Sequence, residues 1–250
     1  VKPGTLAACL LPLGGVLQGS AAAALQHQPA LHQQSGTSCP HALATRVLES
    51  TRLVQAHPQP GAPGYADRLA TTPLGWPRLQ HWCVWIEPAA AAGPAARWDQ
   101  LWLQAVEAAL ASWAELVTIH RSESRESAQV QILRRRPPLQ RGRASHGRAE
   151  LALATNKPGD PPKIEPRVLV SISPGQRPDA IQATALHELG HAFGMWGHSD
   201  QPQDAMAGVP GPTPVLQLTA RDRATFMWLQ QQPGLPGSDA TSAGDQVGCH

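Results

Sequence analysis

The stretch TALHELGHAFGMWGHSD packs three histidines and one glutamate, His187, Glu188, His191 and His198, whose side chains bind metals or move protons. On an α-helix, positions i and i+4 lie on one face, so His187 and His191 present two imidazoles to a single ion. Glu188 sits about 100° further round, placed to take a proton from a metal-bound water rather than to ligate. Hydrolytic zinc sites usually keep three protein ligands and one open position for water. Gly194 can leave the helical conformation and turn the chain back, so a third ligand can come from the loop beyond it. The position at 197 is Gly and offers no side chain, which leaves His198, Asp200 or no third ligand at all. One extra loop residue is absorbed by a looser turn, and His198 is the favoured choice. The alternative, four polar residues on an ordinary helix, gives no reason for the paired histidine four places on.

These residues need a scaffold. The stretch PDAIQATALHELGHAFG reads as a helix with Pro178 in its first turn and Asp179 at its positive end. Its stripe of Ile181, Ala185, Leu189 and Ala192 faces a core. Upstream, RWDQLWLQAVEAALASWAEL puts Trp98, Leu101, Trp102, Ala105, Ala109, Trp113 and Leu116 on one side of a long helix. Strands are expected over Trp82–Glu87, Val117–His120, Ala128–Arg134, Ala149–Ala154 and Arg167–Ser173. Thr219 can N-cap a last helix, ARDRATFMWLQQQ. Helices are also expected over His41–His57 and, briefly, Tyr65–Ala70. The order of elements is that of an α/β (α+β) domain.

The run HELGHAFGMWGHS resembles the metzincin zinc endopeptidases, whose motif is HExxHxxGxxH followed by a methionine-bearing turn. It is most similar to the matrixins, in particular bacterial matrixin-like proteases with HELGHAxGxWGHS. The similarity extends over Gly75 to Pro233, including RRRPPL, SISP and LTARDRATFMWL. The resemblance implies a twisted mixed sheet of about five strands with an active-site helix, the Trp-rich helix and a C-terminal helix. It implies one Zn²⁺ on His187, His191 and His198, with Glu188 as the catalytic base. Met206 would be the turn methionine beneath the ligands, and Asp204 would tie that turn by hydrogen bonds. Two departures matter. The only Tyr is Tyr65, far upstream, which disfavours the branches that carry a tyrosine in this turn and leaves oxyanion stabilisation to zinc and backbone groups. Cys39 lies in TSCPHAL, not in the PRCGxPD motif of a cysteine switch. Calcium is usual in matrixins, but no liganding loop is visible here.

The rest of the chain sets the context. Lys2, the apolar run Leu6–Leu17 and the small residues to Ala24 read as a signal peptide over 1–24, so export to a periplasmic or extracellular space is expected. The run is too short to span a membrane. Residues 25–80 read as a linker and helical extension or prosegment, 81–232 as the peptidase domain, and 233–250 as a flexible tail. Cys9, Cys39, Cys83 and Cys249 form no CxxC pair, and no disulfide pairing can be read from them. A net charge of +2 is too small to argue for nucleic acid. The eight arginines from Arg121 to Arg148 read as a solvated loop and lack the aromatic platforms of single-strand binders. The expected partner is a protein or peptide substrate. The rival is a non-catalytic metal-binding module on the same fold, which would have no need of Glu188.

Overall fold

The computed structural model describes residues 39, 46–48, 52–58, 60–139, 145–155 and 163–238. In chain order the strands are β1 (Arg46–Leu48), β2 (Val54–Gln55), β3 (Leu69–Thr71), β4 (His81–Ile86), β5 (Thr118–Arg121), β6 (Val130–Leu133), β7 (Gly147–Thr155), β8 (Ile164–Ile172) and β9 (Trp196–Gly197). The helices are α1 (Ala96–Ala114), α2 (Pro178–Ala192) and α3 (Ala220–Gln230). The chain is α/β with a mixed sheet in the order β1-β7-β8-β6-β4-β5, and β2-β3-β9 make a small second sheet. Strands β4, β5, β6 and β8 are parallel, and β7 runs antiparallel to β8. The five expected strands are β4 to β8. A sixth, β1, lies antiparallel on the outer side of β7.

Two expected helices differ. Within the described part of His41–His57, Arg46–Leu48 and Val54–Gln55 are strands. Their apolar spacing suits either element, and the backbone groups of β7 and β3 decide between them. Such pairing partners are invisible to local periodicity. Tyr65–Ala70 is a single 3₁₀ turn, Ala66–Arg68, that runs straight into β3. Tyr65, Ala66, Leu69 and Trp76 are buried with the rest of the core. The signal-like segment 1–24, the tail from 239 and most of 25–51 lie outside the described residues.

The core lies between the main sheet and the helices. Trp82, Val84 and Ile86 alternate inward from β4, as do Val168, Val170 and Ile172 from β8. Trp113 joins all three helices: its indole N–H donates to Leu186 O at 3.0 Å, and its ring meets Phe193 and Phe226 edge-on at 5.7 and 5.2 Å. The stripe of α1 is real except at its start, where Trp98 is 66% exposed.

Arginines from the 121–148 run serve the fold. Arg134 pairs with Asp99 at 3.0 Å and lies over the Trp102 ring, and Arg121 pairs with Glu107 at 3.1 Å. Cys39 and Cys83 form a disulfide across a Cα separation of 5.7 Å, a pairing the sequence left open. Among the described residues, no helix is long and apolar enough to cross a membrane.

Two tryptophans four residues apart should therefore respond differently to truncation. Trp102→Ala is expected to cost about 3–5 kcal/mol in urea denaturation, whereas Trp98→Ala should stay within about 0.5 kcal/mol of the parent. Equal losses at both positions would contradict the packing described.

Candidate metal centre

The helix α2 begins as its residues dictate. Pro178 occupies its first turn, and the carboxylate of Asp179 accepts from the Ala180 amide at 2.9 Å. Ile181, Ala185, Leu189 and Ala192 are buried on the core side. At the other end the Gly194 amide donates to His191 O and the Met195 amide to Gly190 O, at 3.0 and 2.9 Å. These two bonds and a φ of +110° at Gly194 form a Schellman turn, which reverses the chain towards the histidines.

The chain then enters β9, which pairs with β3 through Ala70↔Trp196 and Leu69↔Gly197. This contact accounts for the late histidine. A Cβ at position 197 would overlap Arg68 O and come within 2.9 Å of Leu69 Cα. No side chain fits there, so the third imidazole comes one residue later. His187, His191 and His198 each bring one ring nitrogen within 4.8 Å of the others, near enough to converge on one ion. Among the described residues they are the one such cluster of three. Asp200, the alternative ligand, faces Arg221 at 2.9 Å and Arg68 at 3.5 Å instead.

Two of the rings are oriented by backbone carbonyls. His187 Nδ1 lies 2.9 Å from Ala205 O, and His191 Nδ1 lies 2.7 Å from Met195 O. A carbonyl only accepts, so each Nδ1 carries the proton and each Nε2 keeps its lone pair for a metal. Trp196 stacks on His191 at 5.5 Å, and the rings of His187 and His198 stack at 5.2 Å.

The turn that supplies Ala205 O is itself tightly held. Met206 is fully buried, and a methyl group at Gly190 would overlap its sulfur. The fully buried Asp222 accepts from the Ala205 amide at 2.9 Å, the Met206 amide at 3.4 Å and the Tyr65 hydroxyl at 2.6 Å. Asp222 also completes a capping box with Thr219, the expected N-cap of α3. Asp204 accepts from Ser199, Thr219 and Arg221, which joins the His198 loop, the turn and α3. Tyr65 takes no part among the histidines. Its hydroxyl is committed to Asp222, and burial, then the Asp222 charge, push its pKa upward.

Burial sets the charge state of the site. It lowers His187 to about 4, lowers His191 well below its usual value and lowers His198. All three imidazoles are neutral at pH 7, as ligands must be. Glu188, also buried, is pushed up to about 8 by desolvation, against the pull of the Ala149 amide and the Arg148 charge. Its carboxyl lies beside the start of β7, where a Cβ on Gly147 would come within 2.7 Å of Glu188 Oε1.

The histidines and Glu188 are where their spacing places them, and Met206 lies under α2. Tyr65, Arg221 and Asp222 were not singled out as site residues. The one signal for Arg221 and Asp222 was the match of LTARDRATFMWL as a block, and Tyr65 lies outside it. Comparison with protein-family models and with curated proteins returned no match.

Gly190→Ala should force Met206 away from α2. The expected result is a loss of about 1–3 kcal/mol, with weaker metal retention in a chelator competition. Retention equal to the parent would separate Met206 from the ligands. A second expectation concerns pH. In the metal-free chain, folded Glu188 holds its proton up to about pH 8, while the unfolded chain releases it near 4.5. Unfolding releases a proton between those values, so the Glu188 contribution to stability falls as pH rises through that window, by at most about 1.4 kcal/mol per pH unit. Glu188→Gln should flatten this descent in urea titrations from pH 5 to 8.5, and a constant offset from the parent would contradict the assignment.

Proposed function

We propose that this chain is a zinc-dependent endopeptidase of the metzincin, matrixin-like type, with Zn²⁺ held by His187, His191 and His198. The observation that carries the reading is the arrangement of three neutral imidazoles, two of them fixed through Nδ1, beside one buried carboxyl. Three imidazole donors suit zinc and leave room for a fourth, non-protein ligand. Bound zinc brings the pKa of its water to about 7 and polarises a carbonyl.

The chain's own residues supply the rest. A cation near Glu188 favours its ionised form, which turns a neutral acid into a base. Glu188 then accepts a proton at its carboxylate and passes it to the departing amine. The Ala149 amide on the same carboxyl orients it. A site needing only to store metal has no use for such a group. Extended polypeptide is the natural substrate form, because β7 borders the site and sheet edges accept strands. The Cys39–Cys83 disulfide fits an exported protein.

The test uses purified protein and an unfolded protein substrate, with and without a zinc chelator. Glu188→Gln should keep about one zinc per chain while hydrolysis falls by roughly 10³-fold or more. His198→Ala should lose metal and activity together, and Asp200→Ala should spare the metal. Undiminished cleavage by Glu188→Gln would refute the mechanism.

A further inference from the structure

The outer edge of β7 carries two different things. At its start, the Ala149 amide donates to Glu188. The His146 carbonyl accepts from Ser173 on the β8 side, at 2.8 Å, so the backbone N–H and C=O of even-numbered residues face β8 and those of odd-numbered residues face outward, away from it. At its far end, the outward residues Leu153 and Thr155 stand opposite Leu48 and Arg46 of β1. β1 runs antiparallel to β7, with its C-terminal end directed towards Gly147 and Glu188. Without β1, β7 would be the sheet edge.

We infer that β1 is an internal occupant of the strand-binding edge, a stretch of this chain lying where an extended partner polypeptide would pair. The inference rests on the peptidase reading for the identity of that partner, but the pairing itself does not. Two observations support it. First, the same row of outward groups on β7 serves both Glu188 and β1, so an extended peptide long enough to pass Glu188 and follow β7 meets β1. Second, the segment is tethered. Cys39 is bonded to Cys83 on β4, and only six residues separate Cys39 from Arg46. A short tether keeps an effective concentration of order mM, so β1 competes with any free peptide that binds more weakly than that. Cleavage of the chain downstream of β1 would not release it, because the disulfide would still hold it.

Leu48 stands in a hydrogen-bonded position of the ladder, so Leu48→Pro removes a donor to β7. The probe is a fluorescent ten-residue extended peptide, followed by anisotropy on the full-length zinc-loaded protein in the Glu188→Gln background. We expect Leu48→Pro to bind it about tenfold more tightly, or better. Cys39→Ser, which frees only the N-terminal side of β1 and leaves its chain link to β2, should give a smaller gain. Hydrogen exchange should show the amides of Leu153 and Thr155 protected in the parent and released in Leu48→Pro. Equal affinity in parent, Leu48→Pro and Cys39→Ser overturns the inference, as does failure of the peptide to bind any of them. Because binding is read without turnover, these outcomes stand apart from the chelator and Glu188 tests of the peptidase reading.

Discussion

The sulfur of Met206 rests against a helix position that has no side chain, and this contact sets the distance from α2 to the turn beneath it. That distance cannot shorten, because the atoms already touch. It cannot lengthen cheaply, because Asp222 grips the amides of the turn from the other side. The carbonyl of Ala205 is carried by the same turn and orients His187. Helix, turn and ligand ring therefore move as one body. Removing any member would leave a buried polar group without its partner, a cost of about 1–3 kcal/mol each.

One physical cause prepares all four reactive groups. Burial disfavours charge, so it lowers the histidines and raises Glu188. The metal-free pocket is an uncharged one, with three lone pairs and one carboxylic acid facing a common space. A dication reverses only the carboxyl. The imidazoles already have the protonation that coordination demands, so binding at neutral pH requires the release of few protons. The acid side differs: only as pH falls towards 4 does His187 begin to hold a proton in competition with metal.

The parts of this arrangement that depend on local spacing were legible in the sequence. The i, i+4 pair at His187 and His191, the N-cap at Thr219 and the five strands β4 to β8 follow from periodicity and turn chemistry alone. What was not legible depends on partners distant in the chain. Position 197 is Gly because β3, more than a hundred residues earlier, leaves no room for a Cβ. Tyr65 has no sequence signature, since its role exists only against α3. Trp98 satisfies the helical stripe but is exposed, whereas Trp102, one turn on, is buried with Arg134 over its ring. The strands in His41–His57 and the Cys39–Cys83 bridge belong to the same class.

Tyr65 and Asp222 are 157 residues apart, yet they meet through one hydrogen bond beside the turn under the histidine cluster. This has a consequence for the order in which the site comes into being during synthesis. The helical histidines leave the ribosome before α3 does, so for a time the nascent chain carries its ligands without the clamp that aligns them. Contacts of such long sequence separation close late, after loop entropy has been overcome. Completion of the cluster is reserved for a chain made through α3, and a copy that stops short of it carries the three histidines in no fixed arrangement.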